Sequence, residues 1–214
     1  MAPHVPPSAL RTKTKVGLAI VSCIGVLAVL GPFVSRADPN VSDFLHGISS
    51  SELPTGPSSE HWLGCDRLFR DQLARLVQAA RFSLGIGIGA TALSVVIGTL
   101  VGMVAGYTEG VRRSRWVDTV LMTLVDVGLS FPFLLFVMAL AVAFEHLSAG
   151  ALAFTLGASG WMHIARIVRA KTLQIRSLDF VTAARAQGQS TSRILWLHVL
   201  PNVAPIVIGT ATFL

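Results

Sequence analysis

Long apolar segments are the feature that most limits how this chain can fold. Four of them, residues 16–34, 82–107, 127–144 and 147–164, contain almost no charged side chains. A helix needs about 20 apolar residues to cross the hydrocarbon core of a bilayer, and inside that core the backbone must satisfy its own hydrogen bonds. The sequence therefore predicts an all-α protein that crosses a membrane several times.

The composition indicates the same class of protein. Of the 214 residues, 52% are apolar and only 13% are charged, and the mean hydropathy is +0.66. Soluble domains carry about 25% charged residues. The net charge of +6 could indicate a nucleic-acid-binding protein, but the basic residues are spread over short segments between the apolar runs. We therefore expect contact with a lipid bilayer and not with nucleic acid.

The distribution of positive charge predicts the orientation in the membrane. Residues 1–15, 108–118 and 166–193 together hold 12 Lys and Arg residues, whereas residues 35–81 hold 5, accompanied by 6 acidic residues. Cytoplasmic segments are enriched in Lys and Arg. We expect residues 1–15 to be a cytoplasmic tail, residues 35–81 to be extracytoplasmic and residues 166–200 to be cytoplasmic.

The first apolar segment, residues 16–34, predicts an uncleaved membrane anchor. It is longer than the 7–15 apolar residues of a signal peptide. The triplet Ser35-Arg36-Ala37 does resemble a cleavage site, so cleavage remains an alternative.

Two shorter patterns flank the later segments. Residues 66–80 place apolar side chains at helical spacing between charged ones, which predicts an amphipathic helix on the membrane surface. The span at 127–144 is preceded by a predicted helix from about Trp116 and contains Pro132, where we expect a kink.

Small residues recur at every fourth position of the second span: Ala90, Ser94, Gly98, Gly102 and Gly106. Such a stripe lets another membrane helix approach closely, because dispersion contacts replace a hydrophobic driving force within lipid. We expect Gly98, Gly102 and Gly106 to form a helix-packing surface. The partner helix could belong to the same chain or to a second subunit.

Residues 180–201 are polar enough to lie outside the bilayer and predict two helices joined at a glycine. Ala183 and the residues up to Ala186 favour a helix, Gly188 can end it in a left-handed conformation, and Ser190 can cap the next helix. Pro201 is expected where a further span begins. Because residues 201–214 are too few to cross a bilayer, we expect a chain truncated in its fifth span.

Several ordered motifs resemble the C-type permease subunits of dipeptide and oligopeptide ABC importers. They are Trp62-Leu-Gly-Cys-Asp-Arg-Leu-Phe-Arg-Asp-Gln-Leu-Ala-Arg75, the run Ala80-Arg-Phe-Ser-Leu84, the run Val125-Asp-Val-Gly-Leu-Ser-Phe-Pro132, Trp161-x3-Ala-Arg-x2-Arg169, and Ala183-Ala-x3-Gly188 with Leu200-Pro201 behind it. The last is similar to the cytoplasmic coupling loop of such permeases, with Thr182 where the family has Glu. Cys65, Phe69 and Ala74 replace the Thr, Gly and Ser of the first family motif.

The resemblance implies a fold and a set of partners. The fold would be a type I ABC importer permease bundle, with residues 82–214 as the permease core. The partners would be a homologous permease, two ATP-binding subunits and an extracytoplasmic binding protein, at a bacterial inner membrane. The residues that would contact the ATPase lie in the 166–200 loop or next to it: Thr182, Ala183, Ala184, Arg185, Gly188, Ser190, His198, Leu200 and Pro201.

The chain is not expected to be an enzyme. It lacks the GxxxxGK[ST] phosphate-binding loop, so ATP hydrolysis is expected on partner subunits, and we expect no cofactor. The six histidines have no metal-ligand spacing, so we expect no metal site. Asp126 lies near membrane depth beside a basic segment, and we expect a structural or interfacial role for it.

Two alternatives remain beside the peptide permease. The Thr182 replacement and the early end of the chain are compatible with a non-transporting subunit of the same fold. Gly157-Ala-Ser159-Gly160 resembles the motif of rhomboid intramembrane serine hydrolases, which would need His163 as the base of Ser159. The substrate stays open among dipeptides, longer peptides, nickel chelates and haem.

Overall fold

The computed structural model describes residues 7–35, 37–49, 53–109, 114–132, 135, 138–139, 142 and 148–213. Its named helices, in chain order, are α1 (Pro7–Val34), α2 (Gln72–Thr108), α3 (Arg115–Ser130), α4 (Ala149–Ile175), α5 (Asp179–Ala186) and α6 (Thr191–Ala211). No strand longer than an isolated bridge occurs in these ranges, so the all-α prediction is confirmed. The chain divides into two compact units, Met1–Gly85 and Ile86–Leu214.

Within the described ranges, four helical stretches are long and apolar enough to cross a membrane: Thr14–Val34, Gln72–Thr108, Ala149–Ile175 and Thr191–Ala211. The predicted span at 127–144 lies largely outside the described ranges, and its first residues, 127–130, belong to α3. Helix α3 ends at Ser130, because Phe131 precedes Pro132 and takes an extended conformation with ψ of 130°. Helix α3 therefore ends where we expected the kink, and most residues of 133–147 lie outside the described part of the chain.

Two predicted boundaries differ from the structure. Helix α4 continues to Ile175, so residues 166–175 are helical where we expected the start of a cytoplasmic loop. Helix α6 begins at Thr191, ten residues before the expected start of a span at Pro201. The apolar segment from Pro201 is thus the second half of a 21-residue helix.

Helix α6 accommodates Pro201 next to a π-helical turn, Leu195–Val199. A proline inside an α-helix removes one backbone hydrogen bond and its ring collides with the preceding turn. Here the backbone N–H of Leu200 donates to the carbonyl of Leu195, five residues back, so the helix is wider just before the proline. The helix continues as Leu200–Ala211.

In the first unit, Asp66 organises a turn where we expected the amphipathic helix to begin. Its carboxylate accepts hydrogen bonds from the backbone N–H groups of Leu68 and Arg70 at 2.8 and 3.1 Å, and from the Arg70 guanidinium at 2.9 and 3.0 Å. Burial raises the pKa of the Asp66 carboxyl, but these donors outweigh it and hold the pKa well below its usual range. The predicted helix at 66–80 is therefore wrong for residues 66–71.

Helix α2 begins at Gln72 because Asp71 caps it. One Asp71 carboxylate oxygen accepts the Ala74 backbone N–H at 2.7 Å, and the other lies 2.8 Å from Nδ1 of the buried His61. Residues 72–80 are helical, as expected.

Phe69 has a φ of +58°, a left-handed conformation that costs a residue with a side chain roughly 1–2 kcal/mol. It stands at the glycine position of the family motif. Its ring lies 5.6 Å from that of Phe44 in a tilted arrangement, a contact that offsets part of this cost.

In the second unit, the small-residue stripe of α2 lies against α4 of the same chain. The hydroxyl of Ser94 donates to the carbonyl of Gly157 at 3.0 Å. A Cβ added at Gly98, Gly102 or Gly106 would lie 2.6–2.7 Å from a backbone oxygen of α4. The small-residue stripe therefore packs against a helix of the same chain, one of the two partners considered for it.

The core of this unit joins α2, α4, α5 and α6. Its largest fully buried side chains include Ile164 and Val168 of α4, Val181 of α5, and Ile194 and Val199 of α6. Burial of these side chains holds the short helix α5 against the membrane helices.

Replacing Gly102 by Ala should destabilise the second unit. The added Cβ would lie 2.6 Å from the carbonyl oxygen of Ala165 and 2.7 Å from Cβ of Val168, so the helices must separate, at a cost of about 1–3 kcal/mol. Gly87→Ala is the matched control, since it lies on the same helix and in the same unit, and nothing lies within 4 Å of its added Cβ. Thermal unfolding of the two variants in detergent measures the difference. Equal melting temperatures would contradict the close contact.

Candidate coupling surface and membrane cavity

Helix α5 ends in a glycine turn of the predicted kind. Gly188 has a φ of +74°. The N–H of Gly188 donates to the carbonyl of Arg185 at 3.0 Å, and the N–H of Gln189 donates to the carbonyl of Ala184 at 3.2 Å. This pair of bonds is the Schellman motif, which satisfies the last carbonyls of a helix and requires a left-handed residue.

The next helix starts directly after this turn. Ser190 is its N-cap, and the serine hydroxyl accepts the backbone N–H of Arg193 at 3.4 Å. The Gln189 side chain lies 3.1 Å from Nε2 of His198, whose ring is 6.2 Å from that of Phe180. These contacts connect α5 to the first turns of α6 and fix the angle between them.

Helix α5 has one buried face and one exposed face. Val181 and Ala184 are buried in the core, so Ala184 does not belong to an exposed surface. Four residues form what we call the exposed face of α5, and these are Thr182, Ala183, Arg185 and Ala186.

Two side chains of the exposed face have partners within the chain. Thr182 donates its hydroxyl to the carbonyl of Asp179 at 2.9 Å. The Arg185 guanidinium lies 5.3 Å above the ring of the buried Tyr107, at the end of α2.

The other predicted coupling residues lie around the turn. Gly188 and Ser190 are exposed, whereas His198 is half-buried and bonded to the half-buried side chain of Gln189. Further along α6, Leu200 is half-buried and Pro201 is exposed.

Three ion pairs connect α4 and the residue after it to two acidic residues of α3 and to Glu109, which directly follows α2. Arg169 donates Nε and Nη2 to the two carboxylate oxygens of Asp118 at 2.6 and 2.8 Å. Arg176 donates to Glu109 at 2.6 Å, and Arg166 contacts Asp126 through Nη2.

These pairs give the basic end of α4 acidic partners, and they include acids that the sequence did not single out. Asp118 is buried and paired with an arginine 51 positions later. The available signal was the presence of three acids within residues 109–126 and three arginines within residues 166–176. Their spacing along the chain does not show which acid pairs with which arginine.

A cavity of about 840 Å³ opens between α2, α3 and α4. Its polar lining includes Ser94, Ser159, His163 and Arg166, and its apolar lining includes Leu129 and Met162. The volume lies within the range of small-molecule sites, about 300–1,000 Å³.

Ser159 is not arranged as a nucleophile. Its hydroxyl donates to the carbonyls of Thr155 and Leu156 at 3.2 and 2.9 Å. Within the described residues, no hydrogen bond joins Ser159 to His163, and a serine nucleophile needs such a base. The geometry does not favour the hydrolase alternative.

A family model now identifies this arrangement. The model described as the inner membrane component of binding-protein-dependent transport systems matches residues 98–213. The chain belongs to this permease family. The matched region contains most of the glycine stripe, the ion pairs, the exposed face of α5 and all of α6, and the predicted family is confirmed.

Named relatives indicate a branch of the permease family. The dipeptide transport system permease protein DppC of Alkalihalophilus pseudofirmus is 34% identical over 90% of this chain and 60% of its own length. The oligopeptide transport system permease protein OppC of Bacillus subtilis is 34% identical over 92% of this chain and 61% of its own. The glutathione transport system permease protein GsiD of Pectobacterium atrosepticum is 38% identical over 73% and 50%. The chain thus spans about three fifths of the length of the first two.

Gly188 should tolerate only residues that accept a left-handed conformation. Nothing lies within 4 Å of an added Cβ there, so backbone strain alone acts, and it costs roughly 1–2 kcal/mol. Gly188→Val should lower the melting temperature in detergent, and Gly188→Asn should lower it less. Gly209→Val is the control, because its surroundings are equally open and its φ is not positive. Equal effects of the two valines would refute the strained turn.

Proposed function

We propose that this chain is the membrane permease subunit of an ATP-driven importer of dipeptides or oligopeptides. It would form half of the translocation pathway together with a homologous permease. Two ATP-binding subunits and an extracytoplasmic binding protein would complete the assembly. Membership of the permease family and the peptide permeases among the relatives support this proposal.

The observation that carries the proposal is the packing of α5 against the membrane helices. Val181 and Ala184 are packed in the same core as α2, α4 and α6, while the opposite face of α5 is exposed. A subunit that moves α5 would therefore move the membrane helices with it as packed bodies. Coupling ATP hydrolysis to opening of a pathway needs an element of this kind.

The exposed face of α5 suits a protein contact. Ala183 and Ala186 have little bulk, so a partner can approach the backbone, and Arg185 offers a cation held over the Tyr107 ring. Thr182 cannot make the charged hydrogen bond of the family's glutamate. We therefore infer that Arg185 carries a larger share of the contact.

We also propose that the N-terminus and residues 176–190, which connect α4 to α6, lie in the cytoplasm, with residues 35–81 outside, because Lys and Arg are concentrated in and beside the former. Single cysteines at Ser59 and Ser190, both exposed, test this in a Cys23→Ser background, where the remaining Cys65 is buried. A membrane-impermeant thiol reagent applied to intact cells should label position 59 and spare position 190. Labelling of position 190 would refute the orientation.

Reversal of charge at position 185 tests the coupling surface. Arg185→Glu in the full-length chain should reduce retention of the ATP-binding subunits or separate hydrolysis from uptake, since a charge-assisted hydrogen bond is worth about 1.5–3 kcal/mol. Thr182→Glu should be neutral or strengthen retention. Retention is measured by co-purification, and coupling by peptide uptake per ATP hydrolysed.

Arg115→Glu is the matched control, because it makes the same charge reversal at an exposed residue, the first of α3, on the same predicted side of the membrane. It should leave co-purification unchanged. If Arg185→Glu behaves like Arg115→Glu in both assays, the docking surface lies elsewhere.

A further inference from the structure

Arg166 and Arg169 lie one turn apart on α4 but are held differently. Arg169 uses two donors on Asp118, whose side chain is only 8% exposed. Arg166 contacts Asp126 through Nη2 alone, and the two side chains are 56% and 64% exposed. A guanidinium has five N–H donors. Among the residues that the structure describes, Arg166 makes no second hydrogen bond, so it keeps donors free.

Those donors belong to a residue that lines the 840 Å³ cavity. His163 lies one turn earlier on the same wall, and Ser159 directs its hydroxyl to its own helix. Leu129 and Met162 give the cavity apolar surface. Ionisable side chains are rare within membrane helices, and those that face a cavity often mark the path of a substrate. The lining thus offers one cationic group beside apolar surface, which suits an anionic group attached to an apolar body.

We propose that Arg166 binds the C-terminal carboxylate of the transported peptide in this cavity, exchanging Asp126 for the substrate. A carboxylate can accept two parallel N–H···O bonds from a guanidinium, one more than Asp126 accepts here. Asp126 pairs with the cation while the cavity is empty of peptide. This inference rests on the proposed function and adds a substrate contact to it.

The test compares a dipeptide with its C-terminal amide, which lacks the anionic charge. Full-length chain, partner permease, ATP-binding subunits and binding protein are reconstituted in liposomes, and uptake of both peptides is measured. Each variant's acid-to-amide ratio is divided by that of the parent complex, so that the preference of the binding protein cancels. Arg166→Gln should lower this ratio about tenfold or more, and Arg166→Lys should recover part of it.

Two further variants separate recognition from structure. Arg176→Gln breaks the Arg176–Glu109 pair, which does not line the cavity, and should lower both uptakes equally. Asp126→Asn removes the resting partner of Arg166. If Asp126 competes with the peptide for Arg166, this variant should need a lower concentration of peptide-loaded binding protein for half-maximal uptake of the free acid. If the pair is purely structural, the variant should take up less peptide.

The outcomes distinguish this inference from the proposed function. A parent complex that imports neither peptide refutes the proposed function, and this inference with it. The inference alone is overturned if the parent complex imports peptide and the Arg166→Gln variant keeps the parental acid-to-amide ratio or loses uptake of both peptides equally. Parental abundance of each variant in the membrane is verified by quantitative immunoblotting.

Discussion

The direct contact between the backbones of α2 and α4 is the constraint on which the second unit depends. Gly98, Gly102 and Gly106 leave no side chain between the helices, and backbone oxygens of α4 occupy the space where a Cβ would be. Within lipid, such proximity supplies the dispersion contacts that replace a hydrophobic driving force. With α4 fixed in this way, its arginines face the acids at the end of α2 and on α3.

The ion pairs follow from that packing and differ in their exposure. The Arg169–Asp118 pair is bidentate and largely buried, so loss of one partner would leave an uncompensated charge. The Arg166–Asp126 pair is exposed, and its arginine lines a cavity. A single helix thus carries one ion pair suited to holding helices together and another whose partner can be exchanged.

Local signals in the sequence predicted local structure well. The alanines, Gly188 and Ser190 specify a helix end, a left-handed residue and a cap within ten positions, and each was found where expected. The four-residue period of the stripe was equally clear. Long-range effects are not visible in the sequence: the basic end of α4 has the composition of a loop, and the acids that pair with it lie up to 67 positions away. The burial of Ala184 also depends on the core that α5 meets.

The π-helical turn of α6 determines which side chains of the following helical segment face the core. Ile194 and Val199 are both buried although five positions separate them, and Val203 and Val207 then follow at intervals of four. In a regular α-helix, a step of five residues would rotate the second side chain by about 140° from the first. The extra residue in Leu195–Val199 brings both segments onto one face. The orientation of the transmembrane valines is therefore set by a single inserted residue near the start of the helix, close to the turn that connects it to α5.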